Sequence, residues 1–475
     1  MPSLRSAAVL LVLAGLGSTF GHPAPAQTAA TAGAGCLALD PRFTAGLDFG
    51  AAERQALAQA CARIPTIRQR AATIAIVDSR GQAVRDSVLR IEQTNHGFAF
   101  GGHPNEIASG AVRAAESPLY EVRFFGLFYH VVWGFIWRIF EPVRGSPRYD
   151  FAERSLQWAE RFGATVRATP LLYTQWNPPW FVEIADPNER ARLAEARVRD
   201  MMTRYRGRVR AWDVVNETKN TVSLVGMMRG QQMIAPTFPE GAVRGIADYV
   251  DPAFRWARQS DPDAVLLIND NRIVSGRQRD KVEAILRELK RRGTPFDAIG
   301  IQTHMREEGR VPLDRVQEGL DRLAGYGRLR LTEVSVPSRP QRPEENVFDG
   351  APWPGWTEET QAGYVVALYT LAFGHPAVDE ITYWSMTERR SDPPTATTGL
   401  LREDLSPRPA YLALHELLRG TWWTRWSGRT DNAGRVRLQA FYGDYDLVAN
   451  LPDGREVRVP FTIDGKDATI VLVLQ

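Results

Sequence analysis

The chain has 475 residues, of which 44% are hydrophobic and 24% charged, so its composition is that of a globular protein and excludes a disordered chain, a collagen and a multispan membrane protein. Its 58 basic and 55 acidic residues leave a net charge of only +3, and no block of Lys and Arg is interleaved with aromatic residues, so no nucleic-acid partner is expected. The length suffices for one α/β barrel with an appendage. A chain of this length can bury a core that needs no disulfide or metal to be stable.

The first 26 residues have the pattern of a secretory signal peptide. Arg5 supplies a positive charge, residues 7–16 form a short apolar run, and residues 24–26 read Ala-Pro-Ala, a cleavage pattern. Because the apolar run is too short to span a bilayer, we expect no membrane insertion. The pattern predicts a secreted or periplasmic protein, which we expect to be a monomer.

Two cysteines, Cys36 and Cys61, lie early in the mature chain. In an oxidising compartment they can form one disulfide that closes a short loop, and two unpaired small residues are the alternative. No Cys or His pair has the spacing of zinc ligands. The sequence therefore predicts neither a metal site nor a cofactor.

Residues 27–95 form an N-terminal extension in this interpretation. A helix is expected over 51–64, and residues 72–93 read as two short strands of a β-hairpin around the turn at 78–81.

From residue 96, short apolar runs alternate with amphipathic helical stretches. The candidate strands cover residues 96–101, 125–132, 166–174, 209–216, 264–269, 297–303, 328–334 and 379–386. Eight strands, each followed by a helix, predict a (β/α)8 TIM barrel over residues 96–420. A doubly wound sheet is the competing α/β fold, but residues 98–102 lack the rest of its Gly-rich phosphate motif.

Residues 421–475 have no helical period. Alternating or apolar runs punctuated by turn residues predict a small antiparallel β-domain. It can bind carbohydrate or serve as a structural cap on the barrel, and the cap is the favoured interpretation.

Several candidate strands run into polar or aromatic side chains. These ends are Asn216-Glu217, Asn269-Asp270, Gln302-Thr303-His304, Glu333 and Trp384. A core strand gains nothing from a carboxylate or amide at its end, whereas in a (β/α)8 barrel such ends ring the active-site face. One of them alone could cap the next helix; five together indicate a site.

Two glutamates on two strands suit glycoside hydrolysis. One protonated carboxyl assists the leaving oxygen, and an ionised carboxylate attacks the anomeric carbon or activates water. The chain also has 13 Trp, whose flat rings can stack on sugars.

At these positions the sequence resembles glycoside hydrolase family 10, the retaining endo-β-1,4-xylanases. Residues 212–217 (Trp-Asp-Val-Val-Asn-Glu) match the family's fourth-strand motif, residues 299–304 (Ile-Gly-Ile-Gln-Thr-His) its sixth-strand motif, and Thr332-Glu333 its nucleophile motif. The resemblance spans about residues 65–420, and the ordered set of motifs is far more specific than any one of them.

The resemblance implies a role for each of these side chains. Glu217 would be the general acid/base and Glu333 the nucleophile of a double-displacement reaction on a polysaccharide or oligosaccharide, with the carboxyls ~5–5.5 Å apart. His304 would orient the nucleophile. The substrate-binding residues implied are Asn216, Gln302, His304, Trp384 and Tyr173.

The chain departs from the family pattern on the donor side of the cleft. The replaced positions there are Val132 and Trp133 for a Glu-Asn pair, Ile136 for a Lys and Tyr173-Thr174 for a Trp-His pair. Elsewhere, Ser335 replaces an Asp beside His304, and Asp392 replaces a Trp. Apolar walls suggest a different glycone, a modified sugar or a bulky aglycone. A glycosidase with a non-xylan substrate, a non-catalytic carbohydrate-binding barrel and an unrelated barrel lyase or isomerase are therefore the alternatives.

His103 follows the first candidate strand. It can line the donor site and replace lost contacts, and a surface-loop histidine is the alternative.

Overall fold

The structure is a computed structural model that describes residues 36–220, 240–276, 278–305, 310–339, 347–348, 351–352, 355–389, 397–450, 456–465 and 469–474. The predicted signal peptide lies outside the described residues. In the described part of the chain, no helix has both the length and the apolar character that crossing a bilayer requires.

The described strands are β1 (Gln69–Asp78), β2 (Val88–His96), β3 (Ala99–His103), β4 (His130–Gly134), β5 (Thr165–Thr169), β6 (Leu172–Tyr173), β7 (Ala211–Asn216), β8 (Val265–Asn271), β9 (Ala298–Gln302), β10 (Arg328–Val334), β11 (Val347–Phe348), β12 (Ala351–Pro352), β13 (Val378–Trp384), β14 (Arg425–Arg429), β15 (Arg435–Phe441), β16 (Gly443–Asn450), β17 (Glu456–Ile463) and β18 (Thr469–Leu474). The described α-helices are α1 (Pro41–Thr44), α2 (Ala51–Arg68), α3 (Asn105–Ala108), α4 (Ser117–Leu127), α5 (Trp137–Phe140), α6 (Tyr149–Arg161), α7 (Pro179–Val182), α8 (Pro187–Arg204), α9 (Glu240–Ser260), α10 (Arg279–Arg291), α11 (Leu313–Ala324), α12 (Glu358–Phe373) and α13 (Pro409–His415).

Eight parallel strands form a closed barrel in the order β3-β4-β5-β7-β8-β9-β10-β13. The barrel closes because β13 pairs in parallel with β3. Each strand is followed by a helix that packs outside the barrel, and these helices are α4, α6, α8, α9, α10, α11, α12 and α13. The predicted (β/α)8 fold is confirmed, and the carboxyl ends of all eight strands lie at one face.

The second barrel strand lies later in the chain than the predicted range of 125–132. Helix α4 continues to Leu127, and β4 begins only at His130. Phe124, Phe125 and Phe128 are all buried around the end of that helix. A short apolar run is compatible with either a strand or a buried helix, so periodicity alone misplaced this boundary.

The predicted β-hairpin forms only at its turn, where Val77 and Ala83 make an isolated antiparallel bridge. Strands β1 and β2 then enter different sheets: β1 pairs with β15 and β18, whereas β2 pairs with β14 and β16. The N-terminal hairpin region and the C-terminal β-domain are thus one two-sheet unit with its own core. The pairing of β1 with β18 is parallel, so the predicted β-domain is not wholly antiparallel.

The N-terminal segment covers helix α12, and for this reason α12 is buried from Thr360 to Phe373. Gly363 permits the close approach, since a Cβ at this position would lie 1.9 Å from the carbonyl oxygen of Phe43. A buried ion pair between Glu53 and Arg310, with Nη2 and Oε1 2.8 Å apart, joins α2 to the barrel.

Cys36 and Cys61 form a disulfide that ties the start of the described chain to α2. Of the two alternatives for these cysteines, the structure therefore has the paired one.

We expect Gly363→Ala to lower the free energy of unfolding by about 1–3 kcal/mol, because the added methyl group overlaps the Phe43 carbonyl. Gly420→Ala is the matched control, since nothing lies within 4 Å of a Cβ there. Both substitutions gain helix propensity. Because only Gly363→Ala adds a steric overlap, chemical denaturation should show opposite or clearly unequal changes in the free energy of unfolding. Equal shifts would contradict the packing of the N-terminal segment on α12.

Candidate active site

The predicted site residues lie together at the carboxyl end of the barrel. Each lies within two residues of the carboxyl end of a strand, and they are Tyr173 (β6), Asn216 and Glu217 (β7), Gln302 and His304 (β9), Glu333 (β10) and Trp384 (β13). The rule that polar strand ends mark the functional face of a (β/α)8 barrel placed them correctly on one face.

Glu333 is a buried carboxyl with a partner at each oxygen. Its Oε1 accepts a hydrogen bond of 2.9 Å from Asn269 Nδ2, and its Oε2 lies 3.0 Å from His304 Nε2. Burial alone would raise the pKa of Glu333, but the hydrogen bond and charge of His304 and the charge of Arg167 outweigh it and lower the pKa below its usual value. Glu333 is therefore held as a carboxylate.

His304 is itself oriented by Ser335, whose Oγ lies 2.8 Å from Nδ1 of the ring. Ser335 is the position where the family pattern has an Asp. The hydroxyl thus keeps the geometric contact to His304 but supplies no negative charge.

Asn269 connects the side chains of the site; the sequence placed it among the polar strand ends but predicted no role for it. Its Nδ2 lies 2.9 Å from Glu333 Oε1, 3.0 Å from Asn216 Oδ1 and 3.3 Å from Asp213 Oδ2. Its Oδ1 accepts a 2.7 Å hydrogen bond from Thr332 Oγ1, which fixes the amide orientation. The available signal was its place at the polar end of a buried strand.

Glu217 adopts a left-handed backbone conformation, with φ of 54°. Its backbone N–H donates to the carbonyl of Asn269 at 2.7 Å, and Gln302 Nε2 lies 3.5 Å from its Oε1. Tyr173 borders it: burial, then the charge of Glu217 and a hydrogen bond to it, raise the pKa of Tyr173. A non-glycine residue held at positive φ is strained, and such strain is concentrated at functional sites.

Arg167 lies beneath these groups and is fully buried. Its Nη1 donates to Asp213 Oδ2 at 2.6 Å, its Nε to Glu380 Oε1 at 2.8 Å and its Nη2 to the carbonyl of Thr332 at 2.9 Å. Burial alone would lower the pKa of Arg167, but the charges of Asp213 and Glu380 outweigh it and raise the pKa. This cation joins four barrel strands and was missed because it lies in mid-strand.

The structure corrects one residue of the expected apolar donor wall, Trp133, which lies outside the cleft. Trp133 is buried, and its ring packs edge-to-face on Trp158 of α6 at 5.7 Å, so it faces the helix layer and not the cleft. Val132 is buried as well. The alternation of side chains along β4 directs successive residues to opposite sides of the barrel wall.

Trp384 is half-buried and lies among ring side chains. Its indole meets the His304 imidazole nearly edge-on, with centroids 6.3 Å apart, and stacks on His103 at 4.0 Å. Within the described ranges, no group of three or more His, Cys, Asp or Glu residues could hold a metal ion.

Several known proteins similar to this chain are named as xylanases. The family model described as glycosyl hydrolase family 10 matches residues 135–417. The chain is 27% identical over 290 residues to endo-1,4-beta-xylanase B of Thermotoga neapolitana, across 59% of this chain and 78% of that protein. Xylanase 10B of Thermotoga petrophila, solved in complex with xylobiose, has a TM-score of 0.55 at 24% identity over 68% of this chain and 95% of that chain, a likeness of fold.

A further relative is named for a different role. The chain is 26% identical over 407 residues to the anti-sigma-I factor RsgI6 of Acetivibrio thermocellus, across 83% of this chain. The match spans 46% of that protein, so this chain corresponds to less than half of it.

We expect Glu217→Gly to be more stable than Glu217→Ala by about 1 kcal/mol in free energy of unfolding, because glycine adopts positive φ without a Cβ penalty. The glycine variant should therefore unfold at the higher temperature. Both variants lose the same carboxyl group, so each is the control of the other. Thermal unfolding checks the order. If the alanine variant is the more stable one, Glu217 does not hold the left-handed conformation.

Proposed function

The chain belongs to glycosyl hydrolase family 10, and from this premise we propose that it hydrolyses β-1,4-linked glycans of the xylan type with retention of the anomeric configuration. Glu333 is the nucleophile in this proposal and Glu217 the general acid/base. The xylanase names of its relatives support the substrate class. Because the chain departs from the family pattern on the donor side, the sugar bound there can differ from xylose.

One observation carries the proposal: a chain of amide hydrogen bonds joins the two glutamates. Gln302 Nε2 lies 3.5 Å from Glu217 Oε1 and 3.1 Å from Asn216 Oδ1. Asn269 Nδ2 continues from Asn216 Oδ1 to Glu333 Oε1. Thr332 Oγ1 fixes the Asn269 amide in this chain, and the chain holds both carboxyls at one place in the cleft.

The two carboxyls have different tasks in this proposal. In the first step the Glu333 carboxylate attacks the anomeric carbon while Glu217 gives its proton to the leaving oxygen, so the glycosidic C–O bond breaks and a glycosyl-enzyme forms. In the second step Glu217, now a carboxylate, takes a proton from water, whose oxygen displaces Glu333 from the anomeric carbon. Two inversions give net retention.

In this proposal Asn216 hydrogen-bonds the sugar beside the scissile bond. Its Oδ1 accepts from both Asn269 and Gln302, which leaves its amide nitrogen for a ligand hydroxyl. Among the described residues, that nitrogen has no protein hydrogen-bond partner, so we assign it to the substrate.

We also propose that the protein works outside the cytoplasm. The Cys36–Cys61 disulfide supports this, since such bonds persist in oxidising compartments. The pattern of the first 26 residues agrees with export.

The test of the proposed function is sugar release from β-1,4-xylan, mixed-linkage glucan, cellulose and aryl β-glycosides, followed by proton NMR of the first anomer formed. Wild type should release a β-anomer first, and Glu333→Gln and Glu217→Gln should each lose at least about 1,000-fold of the rate on unactivated substrates. Glu288→Gln, which makes the same chemical change at the exposed ion pairs of α10 with Arg291 and Arg292, is the matched control and should keep full activity.

An inverted first product, or undiminished activity in Glu333→Gln, would contradict the mechanism. Activity confined to non-xylan substrates would keep the hydrolase and replace the substrate. No release from any substrate, together with binding of xylo-oligosaccharides, would favour the non-catalytic carbohydrate-binding barrel.

A further inference from the structure

His103 ends strand β3 and lies beside the predicted catalytic cleft. Strand pairing places it opposite Trp384, the last residue of β13. The two rings stack with centroids 4.0 Å apart and planes 20° from parallel. Through Trp384 the histidine adjoins His304, which contacts the carboxylate of Glu333. The alternative of a surface-loop histidine is wrong, because only 6% of His103 is exposed.

The next barrel strand supplies no side chain at this point. Gly134 ends β4, and a Cβ on it would lie 3.7 Å from Nε2 of His103. The preceding residue, Trp133, turns its ring toward Trp158 in the helix layer. His103 is therefore the polar side chain that adjoins the end of β4 between Gly134 and Trp384.

One ring nitrogen of His103 is left without a protein partner. Its Nδ1 is buried, and no hydrogen bond reaches it within the ranges that the structure describes. Buried polar atoms without a partner are rare and costly, so each one in a native structure calls for an explanation.

The ring is neutral near pH 7. Burial lowers the pKa of His103 to about 4, although the charge of Glu333 opposes this shift. A neutral imidazole has one donor and one acceptor nitrogen. It can thus give and receive hydrogen bonds with a sugar hydroxyl, which has the same dual capacity.

We propose that His103 is a specificity-determining residue whose ring nitrogen hydrogen-bonds a hydroxyl of the sugar unit bound on the donor side of the scissile bond, next to Trp384. This inference rests on the proposed function for the location of the scissile bond. It supplies a polar contact on a side of the cleft where Val132 and Trp133 offer none. The glycone accepted by this chain then carries a hydroxyl within reach of β3.

The first test is a substrate-deletion cycle with 4-nitrophenyl β-xylobioside and analogues that each lack one hydroxyl of the donor sugar next to the aglycone. His103→Phe keeps a flat ring against Trp384 and removes both nitrogens. Deletion of one particular hydroxyl should lower kcat/KM of wild type about tenfold. The same deletion should leave kcat/KM of His103→Phe unchanged from its value with the complete substrate. If every deletion costs wild type and variant the same factor, the contact does not exist.

His96→Phe is the matched control. It also replaces a histidine of lowered pKa, but His96 is half-buried and lies at the start of the barrel strands, in an aromatic cluster with Phe100 and Phe373. It should leave the pattern of hydroxyl dependence unchanged. Thermal unfolding of both variants separates lost stability from lost recognition.

A binding measurement keeps the inference distinguishable from the proposed function. The imidazole nitrogens of the seven histidines are labelled with nitrogen-15 in the Glu217→Gln protein, and xylobiose is added. The signal that His103→Phe removes should shift on binding. A shift without hydrolysis by wild type would refute the proposed function and keep the contact, whereas hydrolysis with no shift would overturn the contact alone. No shift and no hydrolysis would overturn both.

Discussion

The buried guanidinium of Arg167 is the interaction on which the catalytic end of the barrel depends. From β5 it reaches Asp213 of β7, the Thr332 carbonyl of β10 and Glu380 of β13, and it is fully excluded from solvent. Removing one partner of such a buried pair costs about 3–5 kcal/mol, so the four strands are held in one arrangement. Since β7 leads into Glu217 and β10 carries Glu333, this cation fixes the spacing of the strands that bear both carboxyls.

The same constraint explains the chemistry available at the site. Arg167 helps to hold the pKa of Glu333 below its usual value, and Asn269 and His304 occupy its two oxygens. The carboxylate is thus desolvated yet ionised, which suits a nucleophile. The second carboxyl group, that of Glu217, is carried by a residue whose backbone is strained at positive φ.

Much of the barrel could be predicted from the sequence, because a parallel sheet buried on both faces gives short apolar runs and polar strand ends. Strand β10 was predicted with its observed bounds, 328–334, and the strand-end rule identified the position of Glu333. The joint β-sandwich could not be predicted, since β1 and β15 are paired across more than 350 residues of sequence. Arg167 could not be recognised either, because a charged residue in mid-strand shows no pattern until its partners from other strands are known.

The central claim is that Glu333 is the nucleophile held ready by this network. Mass spectrometry of the protein after reaction with an activated 2-deoxy-2-fluoro β-xylobioside tests it most directly, because the fluorine slows the second step and lets the glycosyl-enzyme accumulate. If Glu333 is the nucleophile, a single covalent adduct should form on the peptide that contains Glu333, and no adduct should form in Glu333→Gln. An adduct on another residue, or unmodified protein after release of the leaving group, would contradict it.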